Sequence, residues 1–117
     1  MNPASAATAP LAKRKCQACE GNAPKLDDAQ IKTLLAEVPG WERTPANEIA
    51  KTFKFQNYYE TMAFVNATAW ISHREDHHPD LEVGYNKCRV RYSTHSVGGL
   101  SENDFICAAK LEMLFTL

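Results

Sequence analysis

The side chains best suited to chemistry in this 117-residue chain are its four histidines. They are His73, His77, His78 and His95, and the first three fall within six residues of each other. Histidine has an unperturbed pKa of about 6.5, so it can donate or accept a proton near neutral pH. This concentration of imidazoles predicts a site for general acid–base chemistry.

The pair His77-His78 is expected in a loop between a helix and a strand. Pro79 follows the pair, and proline disfavours helical geometry in the residue before it. Adjacent side chains in such a loop point in different directions, so the two histidines can take different roles. The sequence therefore predicts that both contribute to one site without being equivalent.

His95 is expected at the end of a strand, just before the pair Gly98-Gly99. A ligand can approach the backbone closely at glycines, and loops carry a large share of binding residues. Asp104 begins the helix beyond this loop. Its carboxylate could cap that helix, orient a histidine by accepting its N–H, or do both.

Metal binding is the competing interpretation of these residue types. His73 and His77 have the four-residue spacing of two ligands on one helix face, but the sequence between them lacks the H-E-x-x-H glutamate and Pro79 follows closely. Cys16 and Cys19 form a CxxC, yet a tetrahedral zinc site needs two further ligands, usually a second close pair. We expect no metal at the histidines and a reduced, functionally minor cysteine pair, with a redox or metal role as the alternative.

Capping residues and hydrophobic periodicity predict the helices and strands that carry these residues. Residues 1–25 are rich in Ala, Pro, Ser and Lys and are predicted to be a flexible segment, and residues 26–117 to be the folded domain. Helices are predicted after Asp27, after Asn57 and after Ser101, with two pairs of short strands between them. The order α-β-β-α-β-β-α predicts an α+β sandwich, a four-stranded antiparallel sheet with the helices packed on one face. Alternation of Cys88, Val90 and Tyr92 suggests that sheets could also pair across a subunit edge.

Composition limits the classes of partner. Hydrophobic residues make up 44% and charged residues 23% of the chain, which is typical of a globular domain. The net charge of −1 gives no basic field for nucleic acid or an anionic membrane. No apolar run approaches the roughly 18 residues of a membrane span, and no apolar stretch follows Lys13-Arg14-Lys15 as in a signal peptide. The expected location is the cytoplasm, without nucleic-acid or membrane partners.

Four separate blocks of sequence then carry a resemblance. They are Asp76-His77-His78-Pro79, Tyr85-Asn86-Lys87, Ser93-Thr94-His95 and Gly99-Leu100-Ser101-x-x-Asp104. In these blocks, and in the earlier Gly40-Trp41, the chain resembles the pterin-4a-carbinolamine dehydratase family over roughly residues 26 to 115. That family dehydrates a 4a-hydroxytetrahydropterin, formed by aromatic amino acid hydroxylases, to the quinonoid dihydropterin and water, with no metal or organic cofactor.

The resemblance also implies roles for individual residues. It implies that His77, His78 and His95 are the active-site histidines and that Asp104 supports them. It implies that the pterin pocket is lined in part by Asp76, Ser93 and Thr94. His73 stands at the edge of this set, where many members of the family have a glutamate, so the pH profile of this chain could differ from theirs.

Dehydration at C4a needs a proton on the departing hydroxyl and removal of a proton from a ring nitrogen. Our hypothesis makes His77 and His95 the proton-transfer pair, with acid and base not yet assigned between them. His78 would bind and orient the substrate and could share in acid catalysis.

Two functions other than catalysis remain possible from the sequence. Animal members of the family also act as the dimerisation partner of a homeodomain transcription factor. The other possibility is a pterin-binding module that assists a hydroxylase without turnover. The intact histidine set favours the enzyme. The resemblance further implies a homodimer or homotetramer, functionally coupled to an aromatic amino acid hydroxylase.

Overall fold

A computed structural model describes residues 10–17 and 23–116 of the chain. Its elements follow the predicted order: α1 (Asp28–Leu35), β1 (Glu42–Arg43), β2 (Ile49–Lys54), α2 (Tyr58–Glu75), β3 (Asp80–Val83), β4 (Lys87–Tyr92) and α3 (Glu102–Met113). The α+β class and the α-β-β-α-β-β-α order are confirmed. No helix in the described ranges is long and apolar enough to cross a membrane.

The sheet is antiparallel, with the strands in the order β1-β2-β4-β3. Its core face is built by alternate residues of β2 and β4, and Phe53 lies opposite Cys88 while Ile49 lies opposite Tyr92. These four side chains are at most 6% exposed because the helices cover this face. The position of β4 inside the sheet makes pairing across a subunit edge through its buried residues impossible. That expectation is corrected, and the edges of the sheet are β1 and β3.

Lys51 breaks the apolar pattern of the core face, and its partners explain how it is accommodated. Its Nζ lies 2.5 Å from Glu112 Oε1 and 4.9 Å from the centre of the Phe53 ring. The same carboxylate oxygen accepts a hydrogen bond from Trp41 Nε1 at 3.0 Å. The lysine therefore lies at the rim of the core with its charge paired by α3.

The first two helices begin at the predicted residues, after the caps Asp27 and Asn57. The Asp27 side chain accepts from the Gln30 amide and the Gln30 side chain accepts from the Asp27 amide, a complete capping box. Asn57 caps α2 through the Glu60 amide, but the Glu60 carboxylate accepts from the Gln56 amide instead of from Asn57.

Strand β4 ends at Tyr92, so His95 does not close a strand as predicted. Thr94 pairs with Gly99 in an isolated bridge, and the chain between them makes a 3-10 turn over His95–Val97. Gly98 ends this turn with a φ of +66°, a conformation that glycine adopts without strain. The tight return takes the backbone of His95 out of the ladder and places its side chain at the surface.

Helix α2 ends at Glu75, before the pair of histidines. Asp76 adopts the left-handed conformation with a φ of +51°, and the His77 amide then donates to Ser72 O at 3.2 Å. Aspartate is one of the few residues besides glycine that enters this region readily. The reversal, more than Pro79, sends His77 back towards the start of α3.

The described part of the predicted flexible segment lies against the domain. Leu11 is 4% exposed within the core, and the Lys110 ammonium donates to Ala12 O at 2.9 Å. For residues 10–17 the structure thus differs from the expectation, because composition alone does not reveal a single buried leucine. Cys19, the second cysteine of the CxxC, lies outside the described residues.

Candidate active site

Asp104 lies at the centre of the candidate site and is fully buried. Its Oδ1 lies 2.7 Å from His77 Nε2, and its Oδ2 accepts from the Thr94 hydroxyl at 2.8 Å and from the Ser101 amide at 3.0 Å. Hydrogen bonds to an ionised acceptor are shorter and stronger than neutral ones. We call Asp104, His77, Thr94 and Ser101 the Asp104 network. One carboxylate thus both caps α3 and orients a histidine, as the sequence allowed.

The hydroxyl groups of the network give each bond a defined direction. The Thr94 hydroxyl donates to Asp104, so it accepts from the Ser101 hydroxyl, 2.8 Å away. The Ser101 hydroxyl in turn accepts from the Asn103 amide at 3.3 Å. With the carboxylate as acceptor, His77 carries its proton on Nε2, and in the neutral ring the lone pair is on Nδ1.

The flat side of the His77 ring is held by Tyr92. The two ring centres are 5.8 Å apart and the planes differ by 10°. His77 is 7% exposed and Tyr92 is fully buried, so the imidazole is fixed at one edge by Asp104 and on one face by the phenol ring. Such fixation on neighbouring elements preorganises a side chain for proton transfer.

Among the described residues the Tyr92 hydroxyl has no nitrogen or oxygen partner, and the group within reach of it is the Cys107 thiol, a weak hydrogen-bonding partner. Burial raises the pKa of Tyr92 well above its usual range, and the nearby thiols and the charge of Asp104 raise it further. The tyrosine therefore packs against the His77 ring in its neutral form.

Replacing Tyr92 by phenylalanine tests this assignment. At pH 7 we expect a change in unfolding free energy within about 1 kcal/mol, because the hydroxyl loses at most a weak contact with a thiol. Above pH 10 the unfolded tyrosine releases its proton while the folded one keeps it. Wild-type stability should then fall by about 1.4 kcal/mol per pH unit more than that of Tyr92→Phe. Urea titrations of both proteins at a series of pH values measure the difference, and parallel pH curves would contradict the assignment.

The other predicted residues lie outside the Asp104 network. His78 is exposed, with Nδ1 3.3 Å from Pro79 O, and His95 is exposed at the start of the 3-10 turn. Asp76 is exposed at the end of α2, and Ser93 is half-buried beside Thr94. These residues are neighbours in the chain of His77 or Thr94, so they border the network without joining it.

His73 is exposed on α2, and its ring lies 5.6 Å from the ring of Trp70. Because α2 ends at Glu75, His73 and His77 do not share a helix face as zinc ligands would. Within residues 10–17 and 23–116, no group of three or more His, Cys, Asp or Glu side chains is arranged to hold a metal ion.

Two members of the site were not predicted as site residues. Ser101 was assigned only as a helix cap, although its hydroxyl also holds Thr94. Tyr92 was assigned only to the strand alternation. The sequence feature that could have identified both residues is the short spacing from Tyr92 to Asp104. It places the end of a strand, a turn and the start of a helix close together.

Comparison with known families decides the assignment. Residues 24–114 match the sequence model of a family described as "Pterin 4 alpha carbinolamine dehydratase". The chain belongs to this family. The matched region contains the whole Asp104 network and all three histidines of the resemblance.

Similar proteins are found in several bacteria. A protein of Nitrosomonas eutropha is 61% identical over 105 residues, covering 89% of this chain and 92% of its own length. A protein of Nitrosospira multiformis is 59% identical over 107 residues, covering 92% of this chain and 94% of its own length. Both are named "Putative pterin-4-alpha-carbinolamine dehydratase". The relationship thus extends over nearly the whole of each protein.

Solved structures agree with the fold. The transcriptional coactivator/pterin dehydratase of Brucella melitensis is 27% identical and superposes with a TM-score of 0.75, covering 78% of this chain and 98% of its own. A pterin dehydratase-like protein identified as a RuBisCO assembly factor in the alpha-carboxysome is 25% identical with a TM-score of 0.56, covering 64% and 88% of the two chains. The fold of the pterin dehydratases is therefore confirmed for this chain.

Proposed function

We propose that this protein is a 4a-hydroxytetrahydrobiopterin dehydratase, a hydro-lyase that forms quinonoid dihydropterin and water. The observation that carries the proposal is the His77–Asp104 pair within a member of the pterin-4α-carbinolamine dehydratase family. A buried carboxylate that fixes an imidazole is a recurring arrangement for general acid–base catalysis.

His77 is the base in this mechanism. Asp104 accepts the Nε2 proton, so Nδ1 of the neutral ring takes the proton from the pterin ring nitrogen. The imidazolium that results lies 2.7 Å from a carboxylate in a buried setting, which stabilises the charge as it develops.

The acid is assigned to His95, with His78 orienting the substrate and able to share in proton donation. Both side chains are exposed, so each can take up a proton from solvent and pass it to the departing C4a hydroxyl. We further propose that Asp76, Ser93 and Thr94 line the pterin pocket and that His73 lies at its edge. No metal or organic cofactor takes part in these steps.

Turnover is tested with carbinolamine generated in the assay by an aromatic amino acid hydroxylase. The proposal expects the protein to accelerate the formation of quinonoid dihydropterin, followed by absorbance, over the same mixture without it. Binding of the pterin without acceleration would instead support a non-catalytic role. Two of the similar structures carry names with such roles, coactivator and assembly factor.

The cellular setting is part of the same proposal. We propose a cytoplasmic homodimer or homotetramer that recycles the cofactor of an aromatic amino acid hydroxylase, with no nucleic-acid or membrane partner. The open edge of β3 offers unpaired backbone groups for association. Light scattering that gave the 13.1 kDa monomer at micromolar concentration would contradict the oligomer.

A further inference from the structure

Residues 10–17, which we call the strap, precede the region that matches the family and receive no role from it. The strap begins with a 3-10 turn over Leu11–Lys13, in which the Lys13 amide donates to Pro10 O at 2.9 Å. Leu11 is buried in the core, and the strap then extends to Gln17 along α3.

One set of strap contacts is made at the end of α2. The Cys16 amide donates to Glu75 Oε1 at 2.9 Å, and the Glu75 side chain is 7% exposed. The Lys110 ammonium, which holds Ala12 O, also lies 3.9 Å from Glu75 Oε2. Glu75 is the last residue of α2, two positions before His77.

A second set is made at the start of α3. The Gln17 amide donates to Asn103 Oδ1 at 2.9 Å, and Asn103 Nδ2 donates to Gln17 O at 2.8 Å, so one buried side chain holds both backbone groups of a strap residue. Arg14 forms an ion pair of 2.7 Å with Glu102. Asn103 directly precedes Asp104.

Between these two sets of contacts, the thiol of Cys16 packs against α3. Cys16 Sγ lies 3.6 Å from Cys107 Sγ and 3.7 Å from Asn103 O. The hydrogen bond with Cys107 and burial raise the pKa of Cys16, so Cys16 packs against α3 as a neutral thiol. These contacts fix the position of Cys16 along α3.

The two helix ends joined by the strap are those that supply His77 and Asp104. The bond between them is 2.7 Å long, and catalytic geometry has to be held to about 0.5 Å. A shift of about 1 Å can cost on the order of 100-fold in rate. The strap contacts the residues just before His77 and just before Asp104. It therefore constrains the distance between His77 Nε2 and Asp104 Oδ1.

We infer that the strap positions the His77–Asp104 pair, with Asn103 and Glu75 as positioning residues that act through it. The catalytic consequence rests on the proposed dehydratase function, whereas the geometric consequence does not. The strap would then be an addition that makes the active-site pair more rigid than residues 24–114 alone would.

Asn103→Ala in the full chain tests the inference, because it removes both hydrogen bonds to Gln17. We expect kcat to fall about 10- to 100-fold with little change in KM. We also expect the ring ¹⁵N shifts of His77 to change from a dominant Nε2–H tautomer to a mixture. Asn66→Ala, at an exposed position of α2, is the matched control and should change neither quantity.

A second pair of variants covers the case in which Asn103→Ala does not fold. Glu75→Gln keeps an acceptor for the Cys16 amide and should retain the wild-type ¹⁵N shifts, whereas Glu75→Ala should reproduce the mixture. An unchanged His77 tautomer in each alanine variant that folds would overturn the inference even if the wild type is an active dehydratase. A wild type without turnover would refute the proposed function, and the ¹⁵N shifts would still decide the role of the strap.

Discussion

Asp104→Asn is expected to lower kcat for carbinolamine dehydration by about 10²- to 10⁴-fold. The carboxylate accepts from the His77 ring, the Thr94 hydroxyl and the Ser101 amide. An asparagine has one acceptor oxygen in place of two, so its NH₂ group must face at least one of these donors. When the remaining oxygen serves Thr94 and Ser101, the NH₂ group faces His77 Nε2, which must then accept. The ring proton moves to Nδ1, so Nδ1 is no longer available as the base.

The same substitution should also lower the free energy of unfolding by about 1–3 kcal/mol, because hydrogen bonds to a neutral amide replace those to a carboxylate in a fully buried site. Steady-state kinetics and urea unfolding measure the two effects. The matched control is Asp28→Asn, which changes a highly exposed carboxylate in the first turn of α1. It should leave kcat unchanged and change stability by less than about 1 kcal/mol. Equal kinetics in Asp104→Asn and the control would refute the role of Asp104.

His77→Ala is the second substitution with a large expected effect, a loss of about 10²- to 10⁴-fold in kcat. The imidazole is the only group of the Asp104 network that can exchange a proton with the substrate, because Asp104 and Thr94 are committed to internal hydrogen bonds. Pterin binding should be weakened much less, since His77 is 7% exposed and offers the ligand little surface.

Combining the two substitutions shows whether the pair works as a unit. Asp104 acts on the reaction through His77, so it has nothing to orient once the imidazole is absent. The double variant His77→Ala, Asp104→Asn should therefore have the kcat of His77→Ala alone. Multiplicative losses would mean that the two residues act independently, and the positioning role of Asp104 would be wrong.

Local signals in the sequence were sufficient for much of this account. Element order, the cap at Asp27 and the bond between Asp104 and the Ser101 amide follow from residues three positions apart or from simple alternation. The bond between Asp104 and His77, 27 positions away, was only one of the roles that the sequence allowed. Strand β4 ends at Tyr92, before the predicted end at Thr94-His95, although Thr94 has strand propensity. In the fold its amide pairs with Gly99 and its hydroxyl is used by Asp104, and both are tertiary contacts.

The strap shows what local reasoning cannot supply. Its bonds join residues far apart in the chain, from 59 positions for Cys16 with Glu75 to 98 positions for Ala12 with Lys110. Composition marked the segment as flexible because most of its residues are small or polar. A buried leucine and polar contacts to the ends of α2 and α3 hold residues 10–17 against the domain, and none of these contacts has a periodic signature.

The most direct test of the central claim is the rate of quinonoid dihydropterin formation from hydroxylase-generated carbinolamine, with wild-type protein and with His77→Ala at equal concentration. Pterin binding to both proteins is measured in parallel. We expect acceleration by the wild type, and a loss of about 10²- to 10⁴-fold in the variant while binding persists. Wild-type protein that binds pterin without accelerating the reaction, or a variant as fast as the wild type, would contradict it.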